Sequence, residues 1–165
     1  MEKGVKISER SSIDALGQRG YGTSEKAALL LTFFEALFLL DKQMLSVENK
    51  KGNHIDFQNL LHISEDADEN AWMHYMVYRD LRSRGYVVRE GFGASIDFRI
   101  YERGTYGKDA AIALIVSTQE GKPMQIEDLS NALTQTQSLK KELVLAVMNR
   151  RGEIVYYSVA PLTFK

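Results

Sequence analysis

The strongest constraint on the fold is a succession of short, β-branched or aromatic segments in the second half of the chain, separated by turns that contain glycine. Such segments are typical of strands. Five strands are predicted from this pattern: Tyr86–Arg89, Ile96–Tyr101, Ile112–Ser117, Leu143–Met148 and Ile154–Val159. The second half of the chain is therefore expected to form a sheet rather than a helical bundle.

Two stretches with helical periodicity frame these strands. The first runs from about Glu69 to Ser83, has one apolar face and ends at Gly85. The second follows Pro123 and places Ile126, Leu129 and Leu133 on one face. The order α-β-β-β-α-β-β predicts a mixed sheet flanked by helices, and the uninterrupted apolar run Leu143–Met148 predicts its buried centre.

The last predicted strand is apolar on both faces. Ile154 and Tyr156 lie on one side, and the other side carries Val155, Tyr157 and Val159. Two explanations fit this pattern: a central strand covered on both faces, or an edge strand that pairs with another chain. The candidate interface residues are Ile154, Val155, Tyr157 and Val159.

The first half predicts a small αβ domain over residues 1–66, followed by a second domain over 67–165. Strands are predicted at Gly4–Ile7, Ala27–Leu31 and Met44–Val47. A capping box at Thr32 and Glu35 predicts a helix that runs to about Leu40, and Asp56 predicts the cap of another helix. The acidic stretch Ser64–Glu69 lacks large apolar residues and is the predicted boundary.

Composition narrows the chemistry. The 165 residues include no cysteine, and the three histidines (His54, His62 and His74) have no metal-ligand spacing, so neither a metal nor a cofactor is expected. Thr32 and Glu35 interrupt the apolar stretch 27–40, so we expect a cytoplasmic protein that does not enter a membrane. Residues 76–165 carry 13 basic and 10 acidic side chains. This mild excess of positive charge favours a polyanionic ligand such as RNA.

Several motifs occur together in a specific order: Tyr75–Val88, Gly91, Asp97–Tyr101, Lys141–Ala146 and Tyr156–Tyr157. They resemble the catalytic domain of archaeal tRNA-intron endonucleases, also called tRNA-splicing endonucleases. Gly20–Gly22 followed by Leu31–Leu40 is similar to the N-terminal domain of that family. The resemblance implies an α+β fold, with a small N-terminal αβ domain followed by a C-terminal mixed-sheet, restriction-endonuclease-like domain.

The resemblance also implies a reaction. The family cuts bulge-helix-bulge precursor tRNA without a metal, by moving a ribose 2'-hydroxyl onto the adjacent phosphorus, and leaves 2',3'-cyclic phosphate and 5'-hydroxyl ends. This chemistry needs a base, an acid and a cation, which are tyrosine, histidine and lysine in the family. The tyrosine position falls on Tyr101 and the lysine position on Lys141, while the histidine position falls on Asp109. An exposed aspartate is deprotonated at neutral pH and has no proton to donate.

The predicted RNA contacts also depart from the family pattern. Family arginines that grip a bulge base are replaced here by Thr134 and by Tyr156, an aromatic residue that can stack on a base. The turn 149–153, often acidic in the family, carries two arginines here. The RNA-contact candidates are Lys140, Arg150, Arg151 and Tyr156.

These features predict a non-catalytic structural subunit that pairs with a catalytic endonuclease subunit, as a heterodimer or heterotetramer, and acts on precursor tRNA. One alternative is an active endonuclease in which a water or a neighbouring chain supplies the acid. Another is an interaction module without an RNA role. A metal-dependent nuclease could use Asp97, but Ala113–Val116 offers no second acidic residue.

Overall fold

The computed structural model describes residues 4–165, which form an α+β fold. Contacts divide the chain into two compact units, the first ending at Arg79 and the second spanning Asp80–Lys165. The domain boundary between residues 66 and 67 stays a prediction. Ser64 and the three residues after it form the last turn of a helix, so the acidic stretch begins inside regular structure.

The first unit contains two small sheets and three complete helices among its described residues. In chain order these are β1 (Val5–Ile7), α1 (Arg10–Gln18), β2 (Thr23–Glu25), β3 (Ala28–Leu31), α2 (Phe33–Asp41), β4 (Val47–Glu48), β5 (His54–Ile55) and α3 (Phe57–Ala67). The antiparallel sheet has the order β1-β3-β2, and β4 pairs with β5 as a separate hairpin. The next helix, α4 (Ala71–Ser83), crosses the division between the units.

Two predicted helix starts are confirmed by their caps. The Thr32 hydroxyl accepts a hydrogen bond from the Glu35 main-chain N–H at 3.4 Å, and the Glu35 carboxylate accepts one from the Thr32 N–H at 2.9 Å. This is the reciprocal capping box that starts α2. Asp56 caps α3 by accepting from the Asn59 N–H at 2.8 Å.

Part of the first unit was not predicted from the sequence. Helix α1 begins without a side-chain cap and contains Ser11, Ser12 and Gly17, which are poor helix formers. Strand β2 is wholly exposed and polar, so it has no apolar alternation. The strand predicted at Met44–Val47 is wrong for its first three residues, because only Val47 and Glu48 pair with β5.

The second unit follows the predicted order. It contains β6 (Val87–Phe92), β7 (Ile96–Tyr101), β8 (Ala113–Gln119), α5 (Ile126–Ser138), β9 (Glu142–Met148) and β10 (Ile154–Val159). The sheet order is β10-β9-β8-β7-β6, and only the β8–β9 pair is parallel. Helix α5 connects these two strands, as a parallel pair requires.

Part of the buried core of the second unit lies between α5 and one face of the sheet. Ala132 of α5 packs in a buried cluster with Ile96, Leu114 and Leu143. Strand β9 lies between β10 and β8, which agrees with its uninterrupted apolar sequence. Strand β10 has one neighbour and lies at an edge, so the explanation as a central strand is wrong for the described sheet. No helix within residues 4–165 is long and apolar enough to cross a membrane.

Candidate functional site

Tyr101 and Lys141 both lie at one end of the strands in the second unit's sheet. Ile100 of β7 pairs with Ala113 of β8, and Ala113 pairs with Glu142 of β9. Tyr101 is the last residue of β7, whereas Ile112 and Lys141 immediately precede β8 and β9. The Ile112 N–H donates to the Ile100 carbonyl oxygen at 2.8 Å, so all three residues lie at the same end of the sheet. We call these three residues the Tyr101 row.

Ile112 is the apolar member of the Tyr101 row, and 39% of its surface is exposed. Asp109 lies three residues earlier, in an exposed turn where its N–H donates to the Thr105 carbonyl oxygen at 2.9 Å. The row therefore offers a hydroxyl and an ammonium group, with a carboxylate in the turn where the resemblance requires an imidazole.

The turn after β7 adds an aromatic contact that sequence reasoning missed. The ring of Tyr106 meets the ring of Tyr101 at 82°, with centroids 5.1 Å apart. The guanidinium of Arg89, on β6, lies 5.8 Å from the centroid of Tyr106. Tyr106 therefore packs against the candidate base. Its position between two turn glycines, Gly104 and Gly107, was the one sequence signal that could have drawn attention to it.

The side chain of Asp97, the one candidate acid for metal-dependent cleavage, forms a hydrogen bond within the sheet. Its Oδ2 accepts a hydrogen bond from the Ser117 N–H at 2.6 Å, beyond the last paired residues of β7 and β8. The carboxylate thus accepts a hydrogen bond from a main-chain N–H that lies beyond the β7–β8 strand pairing. Within residues 4–165, no group of three histidine, cysteine, aspartate or glutamate side chains is placed to hold a metal ion.

Lys140 and Lys141 follow the end of α5 directly. Lys140 has a φ of 54°, a left-handed conformation that favours glycine, and its N–H donates to the Gln137 carbonyl oxygen at 2.9 Å. The Lys141 N–H donates to the Thr136 carbonyl oxygen at 3.1 Å. These two bonds close the helix and fix where Lys141 enters β9. A lysine here also complements the partial negative charge at the helix C-terminus.

Arg150 and Arg151 lie away from the Tyr101 row. They occupy the turn between β9 and β10, at the opposite end of a seven-residue strand from Lys141. That strand spans about 20 Å. The turn is fixed by Asn149, whose side-chain oxygen accepts from the Arg151 N–H at 2.8 Å and from the Glu153 N–H at 3.0 Å. Both arginine side chains are exposed.

Tyr156 contacts Asp80, which lies near the C-terminal end of α4, and Arg84, which follows that helix. Its hydroxyl donates to the Asp80 carboxylate at 2.6 Å, and the Arg84 Nε donates to the same oxygen at 2.8 Å. The Arg84 guanidinium lies 5.4 Å from the centroid of the Tyr156 ring. Burial raises the pKa of Tyr156 far above its ordinary value, and the hydrogen bond to Asp80 raises it further. We call Asp80, Arg84 and Tyr156 the β10 anchor.

Tyr156→Phe is expected to lower the free energy of unfolding by about 1.5 kcal/mol, because it removes a hydrogen bond to a charged acceptor. Chemical denaturation of the purified chain measures this change. The matched control is Tyr157→Phe, since Tyr157 is 53% exposed and the change should stay within about 0.5 kcal/mol. Equal effects of the two substitutions would contradict a structural role for the β10 anchor.

The four interface candidates all lie on the edge strand β10. Val155 is 47% exposed and Tyr157 is 53% exposed, while Ile154 and Val159 are partly buried. Val155 pairs with Val147 of β9, and Tyr157 pairs with Leu145. The sheet therefore ends in an apolar strip next to an edge whose outer side has no strand neighbour in the described sheet.

Two family definitions match most of the chain. Residues 71–156 match the family described as tRNA intron endonuclease, catalytic C-terminal domain. Residues 2–61 match the tRNA intron endonuclease, N-terminal domain. The two matches agree with the motifs from Tyr75 to Tyr157 and around Gly20.

Curated relatives support the same family. The chain is 32% identical over 158 residues to a tRNA-splicing endonuclease of Methanococcus vannielii, a match that covers 96% of this chain and 89% of that one. It is 30% identical over 141 residues to a tRNA-splicing endonuclease of Pyrococcus furiosus, covering 86% and 81%. A Methanococcoides burtonii protein of the same name is 33% identical, over 92% of this chain and 42% of that one. The fold and these matches lead to one conclusion: the chain belongs to the tRNA intron endonuclease family.

Proposed function

We propose that this chain is a non-catalytic structural subunit of a tRNA-splicing endonuclease. In this role it supports a catalytic subunit that cuts bulge-helix-bulge precursor tRNA without a metal, leaving 2',3'-cyclic phosphate and 5'-hydroxyl ends. The observation that carries the proposal is the composition of the Tyr101 row and its turn. They retain Tyr101 and Lys141, but Asp109 stands at the histidine position.

The missing imidazole removes the general acid. The base takes the 2'-proton and the cation stabilises the phosphorane-like transition state, but the leaving 5'-oxygen still needs a proton. The second unit contains no histidine, and the side chain at the family's histidine position is the exposed carboxyl of Asp109. Asp109 also adds negative charge near the expected phosphate. Loss of a general acid typically lowers a rate ~10²- to 10⁴-fold.

The sheet edge supports an assembly role. β10 exposes Val155 and Tyr157 beside an unpaired edge, which suits pairing with the corresponding strand of another subunit. The β10 anchor ties this strand to α4 and holds the edge in one position. A substrate with two bulges at fixed separation calls for two active sites at fixed spacing, and an inactive subunit can supply that spacing.

One observation favours a second candidate function. Tyr101 and Lys141 remain at the same end of the sheet, so an acid from a water or from another chain would complete an active endonuclease. Tyr106 packs against Tyr101, and Arg89 contacts Tyr106, which is consistent with a fixed position of the Tyr101 ring.

The test is cleavage of a bulge-helix-bulge RNA by this chain, by a candidate catalytic paralogue and by both after co-expression, with the mass of each assembly determined in parallel. We expect the mixed assembly to cut and this chain alone to lie about 10²-fold or more below it. Cleavage by this chain alone at the rate of the assembly would establish the second candidate instead.

The RNA-contact candidates need a separate comparison in the active assembly. Changing Arg150 and Arg151 to alanine in this chain tests whether the turn contacts RNA. A fall in RNA affinity with an unchanged assembly mass supports contact, whereas a change in mass assigns the turn to the protein interface. If neither quantity changes, the turn has no role in either.

A further inference from the structure

The first unit contains a broad cleft that the proposed function does not use. Its volume is about 1320 Å³, and every residue that lines it belongs to the first unit. Its lining includes β1 and one face of α1. It also includes residues 44–51, which contain β4, and Leu60 and Ile63 of α3. We call this space the β1 cleft.

The β1 cleft is lined by an outer strand of the first unit's sheet, as far as residues 4–165 describe it. β1 pairs with β3 on one side and is the outer strand of the order β1-β3-β2. All three of its residues line the cleft. An edge strand presents main-chain N–H and C=O groups on the side away from its neighbour. An extended chain lying in the cleft can pair with these groups and enlarge the sheet by one strand.

Apolar side chains line the same space. Met44 is 46% exposed and Ile63 is 43% exposed, and both belong to the lining of the cleft. Trp72 is the other large apolar side chain exposed among the described residues of the first unit. Two of these three therefore line one cleft, and clustering of exposed apolar side chains marks a binding surface.

The charge of the lining favours an acidic partner. Four basic side chains line the cleft (Lys6, Arg19, Lys50 and Lys51), against two acidic ones, Glu9 and Glu48. The Glu9 carboxylate already accepts hydrogen bonds from the hydroxyls of Ser11, at 3.1 Å, and Ser12, at 2.7 Å. Lys6 lies in the middle of β1 with an exposed side chain, on the face opposite Val5 and Ile7.

We propose that the β1 cleft binds an extended, acidic segment of a protein partner as a fourth strand beside β1. A carboxylate of that segment lies next to Lys6, and its alternate apolar side chains lie next to Val5 and Ile7, as cross-strand neighbours do. The strand edge and the apolar walls favour a peptide over a nucleic acid, whose backbone would be recognised by charge alone at such an edge. This proposal is independent of the proposed function.

The experiment uses a blocked hexapeptide of alternating valine and glutamate and a twin in which lysine replaces glutamate. Each is titrated into the full ¹⁵N-labelled chain. We expect the glutamate peptide to shift the amides of residues 5–7 and 44–51 and to slow hydrogen exchange along β1. The lysine twin is expected to bind about fivefold more weakly, because its ammonium groups meet Lys6 and the other cations of the lining.

A charge reversal makes the test specific. Lys6→Glu is expected to weaken binding of the glutamate peptide by about two- to fivefold and to strengthen binding of the lysine twin by a similar factor. Lys42→Glu is the matched control, because Lys42 is exposed but does not line the cleft, and it should leave both affinities unchanged. Thermal unfolding of each variant confirms that it is folded.

Three results would overturn the proposal. The first is equal binding of the two peptides, and the second is an absence of shifts at the cleft residues. The third is a single-stranded RNA hexamer that binds the same amides more tightly than the glutamate peptide, since that would assign the β1 cleft to nucleic acid.

Discussion

Changing Tyr101 to phenylalanine and Lys141 to alanine together in this chain is expected to leave cleavage by the assembled endonuclease within about twofold of the original rate. Removing the histidine of the catalytic partner in the same assembly is expected to lower the rate ~10²- to 10⁴-fold. The asymmetry follows from Asp109, because a site without an acid adds nothing measurable beside a complete one. Single-turnover cleavage of a bulge-helix-bulge RNA measures both rates.

The matched control for this pair is Tyr106→Phe with Lys108→Ala, which alters the same turn without touching the family positions. It should also leave the rate within about twofold. A tenfold or larger loss caused by the Tyr101 and Lys141 changes alone, at unchanged assembly mass, would show that this chain takes part in the chemistry.

The second large effect concerns the folding of the first unit. Glu35 is 2% exposed, and its carboxylate accepts hydrogen bonds from the Gly22 N–H at 3.1 Å and from the Thr32 N–H at 2.9 Å. Glu35→Ala leaves two main-chain donors without these acceptors and also removes half of the capping box. We expect the free energy of unfolding to fall by about 4 kcal/mol.

Chemical denaturation, followed by a probe in the first unit such as exchange of the α2 amides, measures the effect of Glu35→Ala. Glu35→Gln keeps one acceptor oxygen and should cost about half as much. Glu25→Ala is the matched surface control, because Glu25 lies on the exposed strand β2, and it should stay within about 0.5 kcal/mol. A loss below about 1 kcal/mol for Glu35→Ala would contradict the bonding described here.

The second half of the chain was predicted well because its signals are local. The bounds of Ile96–Tyr101 and Ile154–Val159 agree with β7 and β10 residue by residue. Glycines at the turns and β-branched residues in the strands act within a few residues of each other. The order α-β-β-β-α-β-β is confirmed in full.

The first half was predicted less completely because its elements are short and weakly amphipathic. The two small sheets consist of strands that are only two to four residues long (β1 to β5). Strands this short are too short to show an alternation of apolar and polar residues. Only the Thr32 and Asp56 caps gave strong signals there. The helix α1 depends on packing of Leu16, which is buried, rather than on a cap or on helix propensity.

For the candidate site, the sequence supplied the residue types and the resemblance supplied their roles. Tyr101 and Lys141 were assigned as catalytic positions, and those roles stay predictions. The structure adds that both lie at the same end of the sheet, Tyr101 as the last residue of β7 and Lys141 just before β9. It also shows that Tyr106 packs against Tyr101 and that Arg89 contacts Tyr106. Tyr106 lies in an irregular turn, where hydrophobic periodicity gives no signal.

The sequence by itself determined the order of the elements in the second half, the family and the lack of a histidine after His74, because each of these is set by residue type and local spacing. Tertiary structure alone decided that β10 is an edge strand and that Tyr156 meets Asp80, which lies 76 residues earlier. It also decided that Tyr101 and Lys141 lie at the same end of the sheet. Strand order and register depend on which segments pair across long stretches of chain, and no local pattern fixes that choice.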